Sequence, residues 1–290
     1  MPTLIASDEA GARNPPRATS SKWSAILAMV SFALLVGSYI AAPHAGHLTL
    51  WVISDLVVAA WAICGLVTST LAPPLGWLIS CGAVVAALAA GAAQLAQAHD
   101  HGAHGAAQVV AIVAALLAMA VAVHVLLSLP RGVLTTRARQ SMMVTWYAGA
   151  LIAAGLLASS TRVFASWPID LAWAVVIASS LPSVYARYVS APAAGRQRMQ
   201  CFAIGLSLAI IVALVTLCLH WLVAWPTSLA PTMLAASALV PLGLIAGALP
   251  VASRADRMLV HVLTVLGLTV VVVGAYLIAL RGFGKAPNNT

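Results

Sequence analysis

The sequence predicts an all-α protein whose helices cross a membrane many times. Of its 290 residues, 62% are hydrophobic and only 7% are charged, whereas a soluble domain carries about 25% charged residues. The apolar runs are about 18 to 25 residues long, which matches a bilayer core of roughly 30 Å. They lack the alternating pattern of a barrel strand. We therefore expect a polytopic transmembrane helix bundle that lipid covers over most of its surface.

The apolar runs predict about nine spans. The first run is too long for the core of a signal peptide and is interpreted as an uncleaved helix. Pro182 and Pro241 lie inside runs that continue on both sides, so they are expected to kink their helices rather than end them. The predicted spans are Trp23–Ala42, Leu48–Leu71, Leu75–Ala98, Ala107–Leu129, Met142–Ser160, Ile169–Val189, Gln200–Val223, Leu229–Pro250 and Met258–Leu280.

The positions of Lys and Arg predict the orientation. With a cytoplasmic N-terminus, eleven of the fourteen basic residues lie in inner segments, which is the bias of a multi-pass protein of the plasma membrane. This assigns residues 1–22 to a disordered cytoplasmic tail, 23–280 to a transmembrane domain and 281–290 to a short outer segment. The cations are spread over short loops, so no nucleic-acid partner is expected despite the net charge of +8. The three outer basic residues are Arg162, Arg281 and Lys285.

Three histidines between the third and fourth spans are candidate metal ligands. His99, His101 and His104 are spaced so that their imidazoles can reach one divalent ion from a flexible loop. Zinc, copper or nickel would suit such ligands, and a sensor of external pH is a related interpretation. The alternative is a solvated loop rich in Gly and Ala that binds nothing. No cofactor other than this metal is expected.

Asp55 lies inside the second predicted span, where an ionisable side chain is costly and normally faces a partner in the bundle. His44 and His47, in the preceding outer loop, and the adjacent Ser54 are the expected partners. Together with His220, near the outer end of the seventh span, Asp55 and these two histidines form a candidate set for ligand or signal sensing. The alternative is a carboxylate that is hydrated at the outer interface.

Other reactive residues favour structural roles. His124 and His261 are interpreted as interhelical hydrogen-bonding residues, with haem ligation as the alternative if their helices adjoin. The four cysteines all fall in apolar runs, which favours core packing over disulfides. The sequence has no phosphate-binding Gly-rich loop, G-x-S-x-G, H-E-x-x-H or C-x-x-C motif. No catalytic residue can therefore be assigned.

Several short segments resemble the membrane input region of actinobacterial sensor histidine kinases, the class paired with LuxR-type response regulators. Pro74-Leu75-Gly76-Trp77-Leu78 resembles a Pro-x-Gly-Trp-Leu segment that opens a helix in that family. Residues 129–134, Leu-Pro-Arg-Gly-Val-Leu, resemble a Phe-Pro-Asp-Gly-Arg-Leu-like turn, although the acidic and second basic positions are changed.

Two further segments extend the resemblance over residues 48–290. Arg187-Tyr188, followed by residues 196–200, is similar to the basic stretch that precedes a helix in the family, and residues 253–260 resemble its entry to the final helix pair. The order and spacing of the segments are a stronger signal than any one of them.

The resemblance implies a signal-input module that relays an outer or intramembrane stimulus by helix rearrangement. It also implies a homodimer, and a response regulator reached only through a kinase domain that this sequence does not contain. The chain stops in an outer turn, so we expect it to belong to a longer kinase. The alternative is a complete small transporter or metal-handling protein that uses the outer histidines.

Overall fold

The computed structural model of the protein describes most of the predicted bundle. The described residues are 17–41, 48–98, 103–129, 132–134, 136–159, 184–223 and 229–248, with 182, 225–226, 261–262, 265 and 269 besides. Within this part of the chain the backbone is almost wholly helical and contains no strand. The prediction of an all-α protein is therefore confirmed.

The described residues include eight helices with assigned bounds, and residues 184–190 are also helical. Six of them, α1 to α6, are long and apolar enough to cross a membrane, and α7 with α8 forms a shorter apolar stretch. Of the two remaining predicted spans, the sixth is described only at its end and the ninth only at isolated positions. The helices are α1 (Arg17–Ala41), α2 (Leu48–Leu71), α3 (Pro73–Ala98), α4 (Ala103–Ser128), α5 (Arg137–Ser159), α6 (Ala193–Val223), α7 (Ala230–Ser237) and α8 (Leu239–Ala248).

Three helices begin five to seven residues earlier than hydropathy predicts. α1 begins at Arg17, α5 at Arg137 and α6 at Ala193, each ahead of the predicted apolar run. Hydropathy detects only the part of a helix that lies in hydrocarbon, whereas Ala, Arg and Gln favour helix in any solvent. The expectation of disorder is therefore wrong for residues 17–22, which are helical; residues 1–16 and 281–290 lie outside the described residues.

The predicted eighth span is interrupted as well as kinked. The N–H of Ala238 bonds the carbonyl of Ala235 at 3.2 Å, which is the tighter 3₁₀ pattern, and α8 starts at the next residue. Pro241 lacks the N–H that would bond the carbonyl of Ser237, so the regular ladder fails within this turn. The apolar helical stretch nevertheless continues past Pro241, as predicted, with a single turn residue between α7 and α8.

α3 is the central helix of the bundle. It packs against α1, α2 and α4, while α5 packs on α4, and α6 packs on α7 and α8. Half of the α3 span is buried, compared with 11% of the α5 span. The largest core cluster joins Leu75 and Ile79 of α3 to Val125 of α4, Phe202 of α6 and Leu244 of α8. Any shift of α3 would therefore change the packing of most of the bundle.

Small buried residues let α1 approach α3 closely. Ser24, Ala28, Ser31, Leu35 and Ser38 recur at helical spacing on one face of α1, and all five are buried. Small side chains at such positions are typical of helix packing in membranes, where van der Waals contact drives association.

Large apolar side chains cover the outside of the bundle. Val144, Ile152 and Leu156 of α5 are each more than 60% exposed, and α1 presents Met29 and Ile40 in the same way. A soluble protein rarely exposes so much contiguous apolar surface. Lipid is the partner that such a surface requires.

The four cysteines are free thiols. Cys64 and Cys201 are buried, and Cys81 and Cys218 are partly buried. The prediction that they pack in helices without disulfides is confirmed.

Candidate functional site

The carboxylate of Asp55 is paired with an amide on the neighbouring helix. Gln94 Nε2 of α3 donates a hydrogen bond of 3.2 Å to Asp55 Oδ1 of α2. Gln94 is 4% exposed, while Asp55 is partly buried. The sequence predicted a partner for Asp55 but placed it at His44, His47 or Ser54, so the prediction missed the residue.

A third helix reaches the same level of the bundle. Gly91, one turn before Gln94 on α3, lies so close to Ser38 of α1 that a Cβ at this glycine would be 3.1 Å from the Ser38 Cβ. α1, α2 and α3 therefore meet around the Asp55–Gln94 pair, and a change in this hydrogen bond would act on the contact between Gly91 and Ser38.

The other predicted sensing residues do not join Asp55 among the described residues. His220 of α6 is bonded through Nδ1 to the carbonyl oxygen of Pro226 at 2.7 Å, which ties the end of this helix to the turn that follows. His44 and His47 lie outside the described residues. A sensing role for these histidines stays a prediction.

Most of the predicted metal site lies outside the described residues. His99 and His101 lie outside the described residues, and His104 lies in the first turn of α4 with its side chain undescribed. In the described part of the chain no group of three or more His, Cys, Asp or Glu side chains comes together. The metal prediction is therefore untested.

His124 has an aromatic partner on the next helix. Its Nδ1 lies 3.4 Å from the hydroxyl of Tyr147, and the two rings meet edge to face with centroids 6.1 Å apart. This contact fits the interhelical role that the sequence suggests for His124. Haem ligation with His261 stays a prediction.

At the opposite end of the bundle, three short segments come together. We call this region the arginine-rich end: the α2–α3 turn with Pro74 and Leu75, the loop 129–136, and residues 184–200. Gly132 has a φ of 79°, which favours glycine, and its N–H bonds the carbonyl of Ser128 at 2.7 Å. A Cβ at Gly132 would lie 2.7 Å from Leu75 Cα, so only glycine allows the loop to touch the turn.

Arg187 joins the third segment to this loop. Its Nη1 donates to the carbonyl oxygen of Leu129, just after the end of α4, where a cation also interacts favourably with the helix dipole. The Nε and Nη2 atoms are shielded from solvent and have no hydrogen-bond partner among the described residues.

The two parts of the third segment are also bonded to each other. Gln200 Nε2 of α6 donates to the hydroxyl of Tyr188 at 2.9 Å, and Arg196 Nε donates to the carbonyl of Ala191 at 2.9 Å. Arg187 and Tyr188 are therefore held against the start of α6. The segments that the sequence singled out separately form one connected structure at this end.

Glycines connect α6 to α8 close to the same end. A Cβ at Gly243 would lie 2.6 Å from the carbonyl oxygen of Cys201, and one at Gly247 would lie 3.0 Å from Arg198 Cα. Backbone contact of this kind favours weak Cα–H to carbonyl bonds between helices. These two glycines were not predicted to form a helix contact, although Gly-x-x-x-Gly in an apolar run is a known signal for one. Gln94 was readable too, as an amide in an apolar helix.

Comparison with protein-family models, with curated proteins and with solved structures finds no match. The function is therefore inferred from the geometry of the chain itself.

Proposed function

We propose that the chain is the signal-input module of a membrane sensor histidine kinase. The observation that carries this proposal is the convergence of three of the resembling segments at the arginine-rich end. Gly132 of the second segment contacts Leu75 of the first, and Arg187 of the third bonds the carbonyl of Leu129. Segments that are distant along the chain but meet at one place are expected if they form one functional structure in the family. Their contact here supports the resemblance.

The proposed topology has nine spans, an inner N-terminus and a plasma-membrane location. The arginine-rich end then lies on the cytoplasmic side, where the positive-inside rule places it, and the Asp55–Gln94 pair lies toward the outside. The input would reach a response regulator through a kinase domain outside this sequence, in a homodimer, as the resemblance implies.

α3 provides the physical connection between the two ends. It carries Gln94 near one end and Leu75 near the other, roughly 28 Å apart for a straight helix. A stimulus that alters the Asp55–Gln94 bond would move or rotate α3, because that bond joins α3 to α2. The arginine-rich end would then repack, since Gly132 allows the loop 129–136 no clearance from Leu75.

The reading frame that follows codon 290 offers the first test. We expect it to continue through one more span into a dimerisation and ATP-binding domain, or to adjoin a gene that encodes them. A stop codon at this point with no kinase gene beside it would contradict the proposal.

The second test measures signalling in cells that carry the full reading frame. Gln94→Leu removes the partner of Asp55 and should change phosphorylation of the response regulator, while Gln97→Leu alters an exposed amide on the same helix. Equal phosphorylation in both variants and in the wild type would exclude Asp55–Gln94 as the input site.

The rival function is a transporter or metal-handling protein that uses His99, His101 and His104. Zinc titration of the purified chain separates the two. Stoichiometric tight binding that is lost when all three histidines become Ala would favour the rival, or a kinase that senses metal. If zinc added to the chain gives only the heat of its dilution into buffer, and equilibrium dialysis finds no bound zinc, the zinc site in this loop is excluded.

A further inference from the structure

The Asp55 carboxylate lies far from every Lys and Arg side chain that the structure describes. Those cations lie at the arginine-rich end or at the helix starts beside it: Lys22, Arg137, Arg139, Arg187, Arg196 and Arg198. Asp55 lies roughly 24 Å along α2 from the end of that helix at Leu71, which is too far for an ion pair with them. A carboxylate in an apolar span is costly without a cation beside it, and the uptake of one proton removes that cost.

Few titratable side chains lie near Asp55 on the helices that pack against α2. These helices are α1, α3, α7 and α8. On α1 the titratable residue closest to this level is Tyr39, which is 47% exposed, while Cys64 of α2 and Cys81 of α3 lie toward the arginine-rich end. α7 and α8 contain no titratable residue. The titratable residues of the adjoining loops lie outside the described residues and are His44, His47, His99, Asp100 and His101.

We propose that Asp55 is a proton-binding site and that the proton is the stimulus at this end of the bundle. Gln94 Nε2 donates to Asp55 Oδ1 at 3.2 Å, which is long for a hydrogen bond to an ionised acceptor. When a proton from water bonds to a carboxylate oxygen of Asp55, the new O–H becomes a donor, and Gln94 Oε1 can accept from it once the amide turns over. The buried amide of Gln94 therefore has a hydrogen bond to offer in both states of Asp55.

The proton acts on the half of the α2–α3 pair that is held by side chains. In the other half the two backbones are in contact: a Cβ at Gly65 would lie 2.8 Å from Ser80 N, and one at Gly76 would lie 2.6 Å from Ser69 Cβ. These contacts leave no clearance, so the two helices change their separation more readily at the Asp55 end. Neutralisation of Asp55 therefore changes the angle between α2 and α3 around the two glycine contacts.

Infrared difference spectroscopy of the full chain in liposomes tests proton binding directly. A protonated carboxylic acid has a C=O stretching band that a carboxylate lacks. We expect the wild type to gain such a band as the pH is lowered from about 9 to about 4, and we expect Asp55→Asn to lose the contribution of one group per chain. The other acidic residues, which contribute equally to both spectra, are Asp8, Glu9, Asp100, Asp170 and Asp256.

Two glutamine variants that retain Asp55 test the hydrogen-bond partner. Gln94→Leu should shift the frequency of the Asp55 band, because the amide that bonds this carboxyl group is lost. Gln97→Leu, at an exposed position on the same helix, is the matched control and should leave the band unchanged. Equal frequencies in the two variants would overturn the pairing of the protonated acid with Gln94, and this comparison remains available if Asp55→Asn does not fold.

Two results for Asp55 itself would overturn the proposal. Identical pH difference spectra for the wild type and Asp55→Asn would show that Asp55 takes up no proton. A band of Asp55 with the same intensity at every pH would show that the group is always protonated and cannot respond to a change in pH.

The role of the proton as a stimulus rests on the proposed function, whereas proton binding by Asp55 requires only the chain. In cells that carry the full reading frame, phosphorylation of the response regulator should depend on external pH in the wild type and not in Asp55→Asn. A pH response that persists in Asp55→Asn would overturn Asp55 as the sensor and assign the response to other groups, such as the loop histidines.

Failure of the proton can be distinguished from failure of the proposed function. If Gln94→Leu changes phosphorylation and external pH does not, the input module stands and the proton is not its stimulus. If neither changes phosphorylation while the infrared band of Asp55 titrates, the proposed function fails and Asp55 remains a proton-binding site.

Discussion

The two ends of the bundle hold their polar groups in different ways. Toward one end, the Asp55 carboxylate meets the amide of Gln94, so two side chains on packed helices form the contact. At the arginine-rich end, Gly132 meets the backbone of Leu75 and Arg187 meets the carbonyl of Leu129. One contact is between side chains, and the other depends on the backbone.

This difference determines how each end can respond to change. A side-chain hydrogen bond can be made or broken by a rotamer change at small cost, which suits a site that detects a stimulus. A backbone contact without clearance transmits movement, because neither partner can give way. Substitutions that add atoms at the arginine-rich end should therefore destabilise the protein more than loss of a polar group at the other end.

The largest effect is expected for Gly132→Ala. The new Cβ would lie 2.7 Å from Leu75 Cα, on a backbone whose φ of 79° disfavours any side chain. The free energy of unfolding should fall by roughly 3 kcal/mol. Titration from a mild detergent into sodium dodecyl sulfate, followed by circular dichroism, measures this. Gly149→Ala on α5, with no neighbouring atom within 4 Å, is the control and should be stable or slightly stabilised.

Gly243→Ala should have the next largest effect. Its Cβ would be 2.6 Å from the carbonyl oxygen of Cys201, so α6 and α8 must separate to accept it. We expect a loss of roughly 2 kcal/mol in the same unfolding titration. Gly155→Ala serves as the control, since nothing lies within 4 Å of it. Equal stability of the two variants would show that α6 and α8 are not in backbone contact.

Gln94→Leu tests the end of the bundle that holds the Asp55–Gln94 pair, and it should lower the free energy of unfolding by less than the two glycine substitutions do. It removes the hydrogen bond that Gln94 donates to the Asp55 carboxylate, which is then left to water or to protonation. The loss of unfolding free energy should be about 1 kcal/mol, in line with measured interhelical bonds in membranes. Gln97→Leu, at an exposed position on the same helix, should be neutral. If Gln94→Leu lowers the free energy of unfolding more than Gly132→Ala does, the expectation that the arginine-rich end is more sensitive to substitution is wrong.

The smallest effect is expected for Tyr147→Phe. It removes a hydroxyl that lies 3.4 Å from His124 Nδ1, which is a long hydrogen bond, and it preserves the edge-to-face ring contact. The unfolding free energy should change by about 0.5 kcal/mol. Tyr147→Ala should cost several times more, because it also removes the ring that packs on α4. Equal losses of unfolding free energy in Tyr147→Phe and Tyr147→Ala would show that the hydroxyl alone stabilises the contact.

The positions of the long helices were predictable from the sequence for a physical reason. Apolar segments that cannot bond water in lipid must bond their own backbone, and a helix does so within one segment. The predicted second span matches α2 at both ends, and the third differs from α3 only at its start. The starts of α1, α5 and α6 were missed because they lie in basic, less apolar sequence that hydropathy does not detect.

The candidate sites were predictable only in part. Asp55 was identified because a carboxylate is rare in an apolar run, but its partner Gln94 depends on the height and rotation of α2 against α3. Residues 74–78, 129–134 and 187–188 were identified as separate segments. Their contact was not foreseen, since it depends on a turn, a loop and a helix end that are distant along the chain.

The amino-acid sequence by itself determined that this protein is a bundle of apolar helices with an excess of positive charge in its loops. Those properties are local: they follow from composition and from the need of each segment to satisfy its own backbone in lipid. Only the tertiary structure decided that Asp55 bonds Gln94 and that Arg187 joins the loop that rests on Leu75. Such pairings depend on how closely helices approach, and small residues such as Gly132 and Gly243 set that distance without any signal in overall hydropathy.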